Sequence, residues 1–230
     1  MRTRAVIFDM DGVLVDTEPI YIDIGRHLFR KLGIEVSQER IMSYVGVAAK
    51  RMWAEIRRDF PLSQSLDELI QAERSEQWQR LSAMTRIPPT DGVVPFLRQL
   101  VNAGIRRAIA SSTALDLVQL IISKALIGRY FEVVVSGDAV NEGKPAPDIF
   151  LYAASELDCA PSDCVVVEDS PHGIRGAKRA GMKTVGFANQ LSRNLDLSEA
   201  DMVITDFTTA SVMKIFDLMG PNSHPSIQRA

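Results

Sequence analysis

The chain has 230 residues, of which 46% are hydrophobic and 24% charged, and its 26 Lys and Arg against 29 Asp and Glu give a formal net charge of -3. That length can bury a full core for one large domain or a domain with an insert, and the apolar share excludes a wholly disordered chain. The balanced charge offers no broad basic field to nucleic acid or an anionic membrane, and a mean hydropathy near zero argues against a membrane protein. Two cysteines, Cys159 and Cys164, cannot staple a fold of this size, so a reducing cytoplasm is the expected location and both thiols are read as structural.

The first apolar run, Ala5 to Phe8, ends at Asp9 and is too short for a signal peptide or a membrane span. It reads instead as a first strand around Val6-Ile7-Phe8. The interval 17–87 that follows holds no convincing strand. Its patterns are helical over 19–32, 48–59 and 65–84, with breaks near Gly33 and Pro61, and Pro88-Pro89 closes it. A structureless loop of that length would be exceptional, so it reads as an inserted all-α cap. Trp53 and Trp78 lie on these helices and are expected to pack within it.

Beyond the insert, short β-branched runs alternate with amphipathic stretches. The runs are Arg107 to Ala110, Val133 to Val135, Val165 to Val167, Thr184 to Gly186 and Met202 to Ile204. Such unalternating runs fit strands covered on both faces of a parallel sheet. Helical stretches occupy 93–102, 115–124, 148–157 and 173–180, with Gly104 and Gly181 placed as left-handed caps. The expectation is an α/β fold: a Rossmann-like parallel sheet core from 1–16 and 88–220, a helical cap over 17–87, and a flexible tail at 221–230.

In open parallel sheets ligands bind beyond the carboxyl ends of the strands, and the unusual polar clusters fall there. Asp9-Met10-Asp11-Gly12 follows the first strand, Ser111-Ser112-Thr113 the second, Gly143-Lys144-Pro145 lies beyond the third, and Glu168-Asp169-Ser170 follows the fourth. Taken singly, each has a plainer reading: an Asp as turn former, a Ser-Ser-Thr run as helix cap, a Lys as surface charge. Four such clusters at four consecutive strand ends outweigh those readings. Asp9 and Asp169 offer hard oxygens suited to Mg²⁺, Ser111 and the following amides a phosphate seat, and Lys144 a compact cation. That is equipment for phosphoryl transfer.

Asp9-Met10-Asp11-Gly12-Val13-Leu14-Val15-Asp16-Thr17 resembles the first motif of the haloacid dehalogenase superfamily. Ser111 resembles its second motif, Gly143 to Asp148 its third, and Glu168-Asp169-Ser170 with Gly173-Ile174 its fourth. The order, the spacing and the cap agree with the sugar-phosphate phosphatases and β-phosphoglucomutases of that superfamily. The resemblance implies Asp9 as nucleophile and Asp11 as general acid and base. It implies Mg²⁺ held by Asp9, the Asp11 carbonyl and Asp169 with Glu168 close by, and Ser111 and Lys144 on the phosphoryl oxygens. Gly12, Ser112, Thr113, Tyr21 and Lys50 complete the expected substrate-binding set.

The mutase pattern has a His where Tyr21 stands and a cap Arg three residues after a Gly, where Ala49 follows Gly46; Lys50 is one position out of step. A plain phosphatase acting on a small phosphorylated metabolite is therefore expected, with a β-phosphoglucomutase-like mutase as the alternative; the oligomeric state is not legible in the sequence, and a monomer is the default. Signalling receiver domains also phosphorylate an Asp, but they are much shorter and carry no cap. A silent binding protein is disfavoured because no expected catalytic position is substituted. His172 is expected to start a helix.

Overall fold

The computed structural model describes residues 5–44, 47–190 and 192–220. The expected tail at 221–230 and Gly46 lie outside these. Six strands form one parallel sheet: β1 (Ala5–Phe8), β2 (Arg106–Ser111), β3 (Val133–Ser136), β4 (Cys164–Glu168), β5 (Lys183–Phe187) and β6 (Met202–Ile204). Their order is β3-β2-β1-β4-β5-β6. β1 therefore lies in the middle, where the order reverses, with Phe8 beside Ile109 on one side and Val167 on the other. β1 and β4 are buried along their whole length, which is why they read as unbroken apolar runs.

Between β1 and β2 the chain builds α1 (Glu18–Lys31), α2 (Gln38–Met42), α3 (Ala49–Asp59) and α4 (Leu66–Ala83). The short α2 carried too little periodicity to be anticipated. Ser65 and Glu68 close a reciprocal capping box at the start of α4. The insert has its own apolar centre of Ile24, Leu28, Phe29, Trp53, Ile56 and Leu69, in which Phe29 meets Trp53 edge to face at 5.6 Å. Trp78 departs from expectation: it is 44% exposed, on the outer side of α4.

The insert is rooted in the sheet domain. Leu81 and Ile87 join the apolar cluster under the sheet, and Lys124 Nζ donates to the carbonyls of Ser82 and Met84. Ingoing and outgoing segments lie together, with Thr90 N donating to Leu14 O at 2.9 Å and Val15 bridged to Pro89.

The remaining helices are α5 (Val93–Asn102), α6 (Leu115–Lys124), α7 (Asp148–Glu156), α8 (Pro171–Arg179) and α9 (Thr209–Met219). Alternation along β1 sorts them into two layers. Val6 and Phe8 pack with Phe96, Val118, Ile121 and Phe216 of α5, α6 and α9, whereas Ala5 and Ile7 pack with Phe150, Ala153 and Ala177 of α7 and α8. Gly104 and Gly181 take the left-handed conformation, φ 66° and 76°, just beyond α5 and α8. Cys159 and Cys164 are buried, and each thiol donates to a backbone carbonyl. Among the described residues no helix is long and apolar enough to cross a membrane.

Candidate active site

Asp9 leaves the end of β1 with its amide donating to Val167 O of β4 at 2.9 Å. The chain then folds back tightly, Gly12 N donating to Val15 O at 2.8 Å and Leu14 N to Met10 O at 2.9 Å. Gly12 has φ 77°, and a Cβ there would lie 2.2 Å from Asp169 Oδ2. Only glycine lets this turn approach the end of β4 so closely.

Lys144 comes in from the loop after β3 and is 2% exposed. Its Nζ donates to Asp9 Oδ1 at 2.5 Å and to Glu168 Oε1 at 2.6 Å. Glu168 Oε2 in turn accepts from Ser170 N and Oγ at 2.7 and 2.9 Å, and Ser170 Oγ caps α8 by accepting from Gly173 N at 3.0 Å. The lysine that alone would read as a surface charge is thus a buried strut between two carboxylates.

Oxygens of Asp9, Glu168 and Asp169, all buried, lie within 4.8 Å of one another. Asp169 Oδ2 also accepts from Asn189 Nδ2 at 2.8 Å, and the same nitrogen donates to Gly12 O at 2.9 Å. Burial pushes Asp9 up to about 8; Lys144 opposes this, while Glu168 and Asp11 add to it. Burial pulls Lys144 down, but Asp9 and Glu168 more than offset it and hold the amine above its ordinary value. Three carboxylates around one ammonium leave excess negative charge in a dry place. Hard oxygens carrying that excess fit a divalent cation such as Mg²⁺.

Asp11 points the other way. Its Oδ1 accepts from Thr17 Oγ1, and its Oδ2 accepts from Thr113 Oγ1 at 2.7 Å and Ser111 Oγ at 3.3 Å. Burial raises its pKa, and the hydroxyls of Thr17, Thr113 and Ser111 pull it back. The Ser111-Ser112-Thr113 run therefore does not cap α6. Ala114 holds that position without a side-chain bond, and Leu115 N donates instead to Asp138 Oδ2 at 3.0 Å.

Above these groups lies a cavity of about 400 Å³. Its floor includes Asp9, Asp11, Ser111, Ser112 and Thr113, Gly137 and Asp138 border it after β3, and the insert contributes Tyr21 of α1, Tyr44, Lys50 of α3, and Glu73, Arg74 and Gln77 of α4. Tyr21 Oη is buried near Asp11 and Thr113, at a geometry that makes neither a hydrogen-bond partner. Lys50 reaches the cavity, while Arg51 pairs with Glu55 at 3.1 Å. Gly12, expected among the substrate-binding residues, lies against Asp169 rather than in the cavity wall. His172 is the second residue of α8, half-buried, its pKa lowered by burial and by Arg175 and Arg51.

Asn189 and Glu73 escaped the sequence reading, and Thr17 had no role assigned there. Asn189 stands alone in the loop after β5, and its only signal is that β5 neighbours β4. Thr17 was visible as the last residue of the first motif. Glu73 was hidden in a heavily charged helix.

The sequence model of the haloacid dehalogenase-like hydrolases matches residues 6–187. The chain belongs to this family. It is 32% identical over 201 residues to a phosphorylated carbohydrates phosphatase of Thermotoga maritima, covering 87% of this chain and 92% of that protein. It is 30% identical over 216 residues to the β-phosphoglucomutase of Bacillus subtilis, covering 87% and 88%. Among solved structures, CbbY from Rhodobacter sphaeroides, a variant in complex with xylulose-(1,5)bisphosphate, superposes with a TM-score of 0.79 at 27% identity, covering 90% of this chain and 95% of that one. The fold is that of the family, and the chain is an enzyme of the phosphoric monoester hydrolase class.

Proposed function

We propose that this hydrolase releases inorganic phosphate from a small phosphorylated carbohydrate, with the phosphoryl group carried transiently on Asp9. The carrying observation is the juxtaposition of two carboxyls with different surroundings at the floor of one cavity. Asp9 is tied to Lys144, and Asp11 is tied to hydroxyls. Two acids in different environments can divide the work of nucleophile and proton carrier. An Asp9 oxygen attacks phosphorus as the ester bond to the sugar oxygen breaks, and Asp11 gives its proton to that oxygen. Asp11 then takes a proton from a water that attacks the aspartyl phosphate, which returns Asp9 and frees phosphate.

Ser111 Oγ and Lys144 Nζ are the donors offered to the phosphoryl oxygens, and Lys144 also orients Asp9 and Glu168. Asp9, Asp169, the Asp11 carbonyl and Glu168 would hold Mg²⁺, which when bound supplies charge neutralisation for the gathering phosphoryl oxygens. A cavity of about 400 Å³ suits a sugar phosphate rather than a macromolecule.

The test is phosphate release from a panel of pentose and hexose phosphates with Mg²⁺, after EDTA, and with Asp9→Asn. EDTA should abolish turnover and added Mg²⁺ restore it. Asp9→Asn should lose at least about 10³-fold in kcat while staying folded. Retained turnover in that variant, with deamidation excluded, sinks the covalent route. Tyr21 and Ala49 replace the His and Arg of the mutase pattern. With β-glucose 1-phosphate and a glucose 1,6-bisphosphate primer, free phosphate should therefore outpace glucose 6-phosphate; the reverse would make the chain a mutase.

A further inference from the structure

On α4 the residues spaced by four along the inward face are Leu69, Glu73, Gln77 and Leu81. Leu69 and Leu81 are buried, as an inward stripe requires. Between them the stripe changes to a carboxyl and an amide, and these two residues line the cavity. An apolar pair there would have packed at no cost in unmet hydrogen bonds, so the interruption needs a reason.

The Glu73 carboxyl is held from two sides. Its Oε2 accepts from Trp53 Nε1 of α3 at 2.6 Å, and its Oε1 accepts from Gln77 Nε2 at 3.2 Å. Trp53 is itself locked, 1% exposed, in the apolar centre of the insert. Each carboxyl oxygen can accept a further hydrogen bond. Held by these two donors, Glu73 lines the same cavity whose floor carries Asp9 and Asp11. Tyr21 Oη, without a hydrogen-bond partner among the described residues, is on the same wall and near enough to Glu73 to feel its charge.

We propose that Glu73 is the residue that selects a polyhydroxylated substrate, its carboxyl bonding hydroxyls of the sugar while the phosphate occupies the floor. This deepens the phosphatase reading and rests on it. A carbohydrate offers several hydroxyl donors at the distance of a second wall, and a site built for them rejects an ester that lacks them. Burial raises the Glu73 pKa to about 7, so the experiment is run at pH 8, where the carboxylate predominates.

The experiment compares the best-hydrolysed sugar phosphate of the panel with phenyl phosphate, which has no sugar hydroxyls. Glu73→Gln should raise KM for the sugar phosphate about tenfold and leave kcat within about threefold, so that discrimination against phenyl phosphate falls by about that factor. Trp53→Phe, which keeps the ring and loses the Nε1 donor, should reduce the same discrimination by a smaller factor. Equal losses on both esters would mean that Glu73 only supports Trp53, and the proposal falls. Calorimetric binding of β-glucose 1-phosphate and phenyl phosphate to an Asp9→Asn background, with and without Glu73→Gln, reads the preference without turnover. If wild-type protein hydrolyses neither ester, the phosphatase reading fails. The binding arm then still decides Glu73: a loss confined to the sugar ester upholds it, and an equal or absent loss overturns it.

Discussion

At Gly173 a Cβ would lie 1.8 Å from Glu168 Oε1, the oxygen that receives Lys144. No rotation of a methyl relieves such an overlap, so Glu168 must move and the lysine loses one of its two anchors. Gly173→Ala should cost about 2–4 kcal/mol in stability, measured by urea unfolding, because a buried ammonium is left half-paired. Activity should fall with it, and a variant of unchanged stability and rate would show that Glu168 relaxes freely. Much of this level was legible beforehand. Asp9, Asp11, Ser111, Glu168 and Asp169 are polar residues at strand ends, and Lys144 lies in the loop beyond β3, where nothing in the packing demands them. Asn189 was not legible, because one asparagine in a loop carries no pattern, yet it bonds both Asp169 and the Gly12 carbonyl.

Among the elements, α4 separates what periodicity can and cannot reveal. The helical pattern over 65–84 was legible, but its inward face was not, since Glu73 and Gln77 break the apolar stripe and Trp78 lies outward. The same break has a pH signature. Glu73 has its pKa raised from 4.5 to about 7 by burial, with Trp53 opposing. The groups that meet it are Trp53, Gln77 and Tyr21, while Arg74 of the same cavity pairs with Asp116. For an acid whose folded pKa is raised, the stabilising contribution is complete below the unfolded value and is lost as pH rises through the folded one. Wild type should therefore lose about 1–3 kcal/mol relative to Glu73→Gln between about pH 4.5 and 7, because Glu73 is only partly buried at the cavity wall. Parallel stability curves for the two proteins over that range would remove the carboxyl from the interior.

For the molecule as a whole, the parallel sheet and the helical insert were readable because one produces β-branched runs and the other a long interval without them. How the two parts meet was not, for it depends on contacts far apart in sequence such as Lys124 with Met84 and Arg74 with Asp116, 2.9 Å apart. The latter pair is half-exposed and weak, while the former roots the insert at its base. We expect the insert to tilt about that base, closing the cavity over bound substrate. Small-angle scattering with Mg²⁺ and a fluoride-based phosphate mimic should give a smaller radius of gyration, and an unchanged one would argue for a fixed cavity. The clasp of Leu14 with Thr90 and Val15 with Pro89 has a consequence for descent. Because both ends of the insert leave the sheet at one point, an unrelated helical segment could be spliced there without rethreading a strand. The graft would have to keep Ile20, Tyr21, Leu81, Met84 and Ile87, which belong to the apolar layer beneath. Chemistry and substrate choice then become separately heritable parts of one chain.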